Sequence, residues 1–184
     1  MNIVIAQQKG GVGKSTTSLI IASVLDTAGR EFEVVDLDPQ QSMTSSMSMI
    51  GLKSTEKAGY RIVDTPPNLE HKETEQELAN ADIVIIPSGT SVYELQVTAS
   101  TIPVIQARTK AKIRVLWSKV KTNTTAGKGL DLLEEKLGAE TFKTTIKQRE
   151  CYQQNFLVKG WKGLNTAARE ECSQFVIELT TQGV

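Results

Sequence analysis

After Ala6 the chain reads Gln7-Gln8-Lys9-Gly10-Gly11-Val12-Gly13-Lys14-Ser15-Thr16, a glycine-rich run closed by a lysine and two hydroxyls. Gly10, Gly11 and Gly13 lack the Cβ that would keep backbone N–H groups from turning inward onto an anion. Lys14 is placed to reach the β- and γ-phosphates of a nucleotide, Ser15 to ligate magnesium, and Thr16 to meet the α-phosphate. The apolar residues before the loop read as a strand. Those after it read as a helix over Ser15–Ala28, whose free N–H groups and dipole favour phosphate. Strand, glycine loop, Lys-Ser and helix in this order point to ATP and Mg2+ as ligands, cradled by Gly10 to Thr16 with Val12 among them.

Three carboxylates complete the chemistry. In Val34-Val35-Asp36-Leu37-Asp38-Pro39-Gln40 the strand alternation puts Asp36 and Asp38 on one side, at a strand's C-terminal end, where such sheets bind ligands. Asp36 is expected near magnesium. Arg61-Ile62-Val63-Asp64-Thr65-Pro66-Pro67 is a buried strand that delivers Asp64 beside the metal through water.

Positioning these groups takes a sheet. Strands are predicted at Asn2–Ala6, Glu33–Leu37, Tyr60–Asp64, Asp82–Pro87 and Lys112–Ser118, with a weaker one near Phe142–Ile146. Several are almost wholly apolar, as strands covered on both faces are. Between them, Ile21, Val24, Leu25 and Ala28, then Leu130, Leu133 and Leu137, then Cys172, Phe175, Val176 and Leu179 recur at helical spacing. Pro103 interrupts the helical pattern from Ser91 to Arg108, so a break or kink is expected there. The expected fold is α/β: a mostly parallel twisted sheet with helices on both faces, in one domain over 1–184.

The 184 residues suffice for one domain with a real core, and 39% apolar with 23% charged residues is an ordinary soluble balance. No apolar run approaches the roughly 20 residues of a membrane span, and Met1 to Ala6 does not have the layout of a secretion signal. Cys151 and Cys172, without a CxxC, suit a reducing cytosol. Net charge is zero, but residues 1–100 hold 7 Lys/Arg against 13 Asp/Glu and residues 101–184 hold 14 against 8. A basic face that meets a polyanion is one reading of this skew, and an ordinary solvated surface is the other.

The run Lys9 to Thr16 resembles the deviant Walker A loop of the ParA/MinD family. Gln8 stands where an ordinary phosphate loop has its first glycine, and Lys9 matches the family's signature lysine. The resemblance implies that Lys9 reaches across a homodimer formed on ATP to the partner's nucleotide, as an arginine finger would, and that Asp38 orients the attacking water. Lys9 and Asp38 are thus the expected catalytic pair. Asp64-Thr65-Pro66-Pro67 and Ala81-Asp82-Ile83-Val84-Ile85-Ile86-Pro87 also match. Thr144 to Arg149 with Tyr152 is similar to small plasmid-partition ATPases of the ParA/ParF type, where the position of Arg149 serves DNA contact. Ser118 and Lys119 follow the strand at which relatives approach the base. Asp38 and Asp64 are only 26 positions apart, which implies that a helix and part of a strand are trimmed.

The implied function is partition or positioning of cargo: an ATP-formed dimer holds nonspecific DNA until a centromere-binding or adaptor protein stimulates hydrolysis. The implied setting is the bacterial or archaeal cytoplasm, at the nucleoid. With the first strand at Asn2, no DNA-reading domain is expected ahead of it. DNA contacts are therefore expected from Arg108, Lys110, Lys112, Arg114, Lys119, Lys121, Lys147 and Arg149, to phosphates. A MinD-like membrane switch is the alternative. It asks for a basic amphipathic last helix, whereas Glu170 to Leu179 is acidic on its polar side, so no stable membrane anchor is expected. A metabolic enzyme of the same superfamily asks for paired cysteines or a substrate domain.

Overall fold

A computed structural model describes residues 1–182; the last two positions of the 1–184 domain expectation lie outside the described residues. Five strands, β1 (Asn2–Ile5), β2 (Phe32–Asp36), β3 (Tyr60–Asp64), β4 (Ile83–Ser88) and β5 (Lys112–Trp117), form one sheet in the order β2-β3-β1-β4-β5. Every pairing is parallel. The strands alternate between two cores, as a period of two requires. Ile3, Ile5, Ile62, Ile83 and Ile85 face one cluster, while Val4, Ala6, Val63, Val84 and Ile86 face the other.

Helices α1 (Lys14–Thr27), α2 (Ser42–Ile50), α3 (Lys72–Ala79) and α4 (Val92–Gln106) link the strands. Leu19 to Leu25 of α1 and Met43 and Met47 of α2 enter the first core; Leu78 of α3 and Ile102 and Ile105 of α4 enter the second. Neighbouring β1 and β3 thus send their following helices to opposite faces. The departing chains leave a crevice at the carboxyl ends of these strands, the usual ligand position in open α/β sheets.

Beyond the sheet come α5 (Thr125–Lys128), α6 (Leu130–Leu137), α7 (Glu150–Gln154), α8 (Phe156–Lys159) and α9 (Thr166–Gln182). Among the described residues no helix is long and apolar enough to cross a membrane. Cys172, Phe175, Val176 and Leu179 of α9 are buried in the first core, so its apolar stripe is already covered.

Two local expectations change, the break at Pro103 and the strand at Phe142–Ile146. The α4 helix runs unbroken through Pro103. Pro103 lies in its last turn, so the one hydrogen bond it removes, to the Ala99 carbonyl, falls where the helix is about to end, and a capping box of Ser91 and Glu94 fixes the start. Phe142–Ile146 is not a ladder strand. It meets β5 and its exit at the isolated bridges Val115–Thr141 and Val120–Lys147, with Ile146 N–H donating to the Trp117 carbonyl at 2.8 Å between them. The segment between Asp38 and Asp64 retains a helix, α2. It also blunts the open edge of β2: Val34 N–H donates to Ser54 Oγ at 2.8 Å, and Thr55 N–H donates to the Phe32 carbonyl at 2.8 Å.

Candidate functional site

The glycine loop leaves the central strand β1 and turns into α1 at Gly13, whose φ of 104° excludes other side chains at little cost only because glycine has no Cβ. Its start is pinned by Gln7, which is 1% exposed. The Gln7 amide donates to Thr98 Oγ1 at 3.0 Å and its carbonyl oxygen accepts from Thr101 Oγ1 at 2.7 Å, tying the loop to α4. Its far side is stapled by the turn after β5: Ser118 Oγ donates to the Val12 carbonyl at 2.9 Å, and Lys119 Nζ donates to the Gly11 carbonyl. Sequence reasoning missed Gln7, because a buried glutamine beside a glycine loop has no periodic signature.

Gly10, Gly11, Gly13, Lys14, Ser15 and Thr16 line a cleft of about 400 Å3 together with Asp38, Gln40, Ser42, Pro67 and Lys119. The structure therefore brings the loop, Asp38 and Lys119 together. Val12 faces away and is buried. Lys14 is also buried, with its Nζ 3.4 Å from the Lys9 carbonyl. Burial lowers the Lys14 pKa, and the charges of Asp64 and Asp38 oppose that shift.

Asp36 and Asp64 are register partners on β2 and β3, but their side chains differ in kind. Asp36 is committed to the protein: one oxygen accepts from Asp38 N–H at 3.2 Å, and the other accepts the N–H and hydroxyl of Thr44 at 2.9 and 3.0 Å. This braces the Asp38 turn and the start of α2, which is a different job from the expected metal role. Asp64 has both oxygens buried with no hydrogen bond of good geometry to any described residue. Burial pushes its carboxyl up to about 7, with the Ser15 and Ser18 hydroxyls and Lys14 pulling it back and Asp36 adding to the rise. A buried carboxylate pair of lone pairs without donors, beside Ser15, fits a hard cation held by oxygen ligands. Asp64 and Ser15 would hold magnesium.

Lys9 is held within its own chain. Its Nζ lies 4.5 Å from the Tyr93 ring centre and 3.8 Å from Glu94 Oε1, at the start of α4. Gly89 makes this possible, since a Cβ there would stand 2.2 Å from Glu94 Oε2.

A second, apolar slot of about 140 Å3 adjoins the loop on its outer side. It shares Gly13, Thr16 and Lys119 with the cleft, and Ile20, Ile146, Tyr152 and Leu157 give its apolar walls. An apolar space of this size can hold one aromatic ring.

The eight cations expected at DNA do not form one face. Arg114 is buried: Nη2 donates to Glu178 Oε1 at 2.7 Å and the guanidinium stacks 4.1 Å from the Phe142 ring centre, so it cannot meet a phosphate. Lys119 belongs to the nucleotide cleft. Arg108, Lys110 and Lys112 lie at the start of β5, with Arg108 on Glu75 at 3.3 Å and Lys112 near Glu140 at 3.6 Å. Lys121, Lys147 and Arg149 line one open cleft near the other end, roughly 20 Å away by the rise of a six-residue strand. Lys147 and Arg149 are both paired with Glu171.

A family model of the CobQ/CobB/MinD/ParA nucleotide binding domain matches residues 3–156. The chain is 24% identical over 193 residues to the maintenance of carboxysome distribution protein A of Halothiobacillus neapolitanus, covering 91% of this chain and 88% of that one. It is 34% identical over 100 residues to the sporulation initiation inhibitor protein Soj of Bacillus subtilis, a match that covers 54% of this chain and only 34% of Soj. Among solved structures, Cyanothece McdA in complex with ATP superposes with a TM-score of 0.78 at 17% identity, covering 97% and 95% of the two chains. The MinD cell division protein of Aquifex aeolicus gives 0.77 at 16% identity, covering 99% and 98%. At these identities the two structures speak for the fold.

Proposed function

The chain belongs to the CobQ/CobB/MinD/ParA nucleotide-binding family, and on that premise we propose that it is a magnesium-dependent ATPase that positions or partitions cargo through an ATP-formed homodimer. One observation carries the reading: Asp64 is buried at the end of β3 beside Ser15, with neither oxygen in a hydrogen bond of good geometry to a described residue. A fold that buries a carboxylate at such cost is arranged for a cation there. The relative named for carboxysome distribution supports the positioning role.

In this mechanism the backbone N–H groups from Gly10 to Thr16 bind the phosphates, and Lys14 neutralises their charge. Magnesium, when bound, supplies a Lewis acid toward the phosphoryl oxygens. Asp38, held across the cleft by the turn that Asp36 braces, orients the attacking water. Lys9 leaves Tyr93 and Glu94 and stabilises charge on the partner subunit's nucleotide. The slot of Ile20, Ile146, Tyr152 and Leu157 takes the adenine ring. DNA phosphates meet the edge that carries Lys121, and a partner protein triggers turnover and release.

Calorimetry with Mg·ATP tests the core of this. Lys14→Ala removes the main cation facing the phosphates and abolishes binding; near-wild-type affinity would overturn the assignment.

A further inference from the structure

The wall of the apolar slot has no ladder to hold it. Residues 141–149 meet β5 and its exit at two isolated bridges and through Ile146 N–H, which donates to the Trp117 carbonyl at 2.8 Å, and Ile146 and Arg149 both line the slot. The side chains that brace the rest of the segment come from α9. Glu178 accepts the N–H of Lys143 at 2.9 Å and of Thr144 at 3.0 Å, and its partner Arg114 donates to the Thr141 carbonyl at 2.8 Å. Two helical turns earlier, on the same side of α9, Glu171 takes the other end of the segment. It accepts from Arg149 Nε at 3.2 Å and again from Arg149 Nη2, and lies 3.3 Å from Lys147 Nζ. Tyr152, the aromatic side of the slot, has its hydroxyl 3.3 Å from the Ala168 carbonyl and from Cys172 Sγ, again on α9.

We propose that Glu171 is a positioning residue for nucleotide recognition, clamping Arg149 and Lys147 so that the 146–149 wall stands at the right distance from α1 to grip the base. The inference rests on the reading of this slot as the adenine site. The two carboxylates of α9 differ in role. Glu178 faces a buried arginine and holds the fold, whereas Glu171 faces two half-exposed cations at the rim and holds the wall. The phosphate half of the site does not depend on Glu171, because the glycine loop is fixed independently by Gln7, Ser118 and Lys119.

The test separates the two halves of the ligand. Calorimetry measures the affinity of Glu171→Gln for Mg·ATP and for magnesium tripolyphosphate, which has phosphates and no base. ATP affinity falls by about tenfold, as befits the loss of one charge-assisted hydrogen-bond set, while tripolyphosphate affinity stays at the wild-type value. Unchanged ATP affinity overturns the proposal, as does an equal loss for both probes. Arg149→Gln breaks the same clamp from the other side and must give the same split should Glu171→Gln fold poorly. Leu157→Trp, which fills the slot, tests the underlying reading. If it leaves ATP affinity intact, the slot is not the base site. If it weakens ATP while Glu171→Gln and Arg149→Gln do not, the clamp alone is wrong.

Discussion

The Lys9 ammonium lies 4.5 Å from the centre of the Tyr93 ring of its own chain, in the first turn of α4. With Lys14 proposed to serve the chain's own phosphates, a second lysine this close is useful where another nucleotide's charge faces it, which two-fold symmetry would supply. Lys9→Ala is expected to keep ADP binding and to lose ATP-dependent dimerisation and hydrolysis together. Mixing inactive Lys9→Ala and Asp38→Ala chains restores partial turnover, with any stimulating partner present, because one of the two sites in a mixed dimer is whole. Heterodimers that form and stay inactive would rule out action in trans.

Asp38→Ala is expected to bind ATP, stop turnover and accumulate as a dimer. Its carboxylate lines the cleft and, among the described residues, accepts a hydrogen bond from its own turn, Gln40 N–H at 3.0 Å, so removing it leaves the loop intact. Phosphate release and size-exclusion chromatography in ATP read the two effects; normal turnover would move the water-orienting role elsewhere.

Asp64→Asn separates stability from function. Burial pushes the wild-type carboxyl up to about 7 against the pull of the Ser15 and Ser18 hydroxyls, so replacing it with a neutral isostere should stabilise the metal-free protein at pH 8, on the order of 2 kcal/mol. The same variant should lose the magnesium dependence of ATP binding. Thermal melts without metal and titrations with and without magnesium measure both; a less stable variant would mean that the Ser15 and Ser18 hydroxyls satisfy the charged form better than burial penalises it.

Glu178 gives the fold an acid limit. Its carboxyl is held below the usual range: burial opposes this, but the N–H groups of Lys143 and Thr144 and the Arg114 guanidinium outweigh it. A depressed carboxyl contributes its full stability above the unfolded value, and that contribution fades as pH falls through the folded one. Glu178→Gln should cost about 3 kcal/mol at pH 7, since it strands a buried arginine, and the gap from wild type should close as pH falls below about 4. A gap independent of pH would assign the cost to packing instead of charge.

Lys121→Ala should lower nonspecific DNA affinity and reduce the log–log salt slope by about one, with ATPase unchanged, whereas Lys110→Ala at the opposite end of β5 should do neither. Fluorescence titrations with duplex DNA at several salt concentrations compare them. Equal effects would restore a single broad DNA face.

The loop, Asp38 and Asp64 were readable because each is set by a few contiguous residues: glycines where φ is positive, and carboxylates at the ends of apolar strands. The five strands were legible for the same local reason. What escaped depends on distant partners. Arg114 reads as one more surface cation until Glu178, 64 residues on, is seen beside it. Lys119 sits at a φ of 54°, a left-handed turn that aims it back at the glycine loop. Phe142–Ile146 has the composition of a strand, but the hydrogen bonds to Glu178 take the backbone groups a ladder would have used. Pro103 ranked as a helix breaker only because the position of the helix end was unknown.

The sheet order also divides the site by local stability. The glycine loop hangs from β1, which is paired on both sides, whereas Asp38 follows β2, an edge strand paired only with β3. Edges open more readily than centres, in sub-global steps that amide exchange resolves. On the proposed reading, fraying of β2 would release the Asp38 turn while leaving the phosphate cradle folded, a form that grips nucleotide without cutting it.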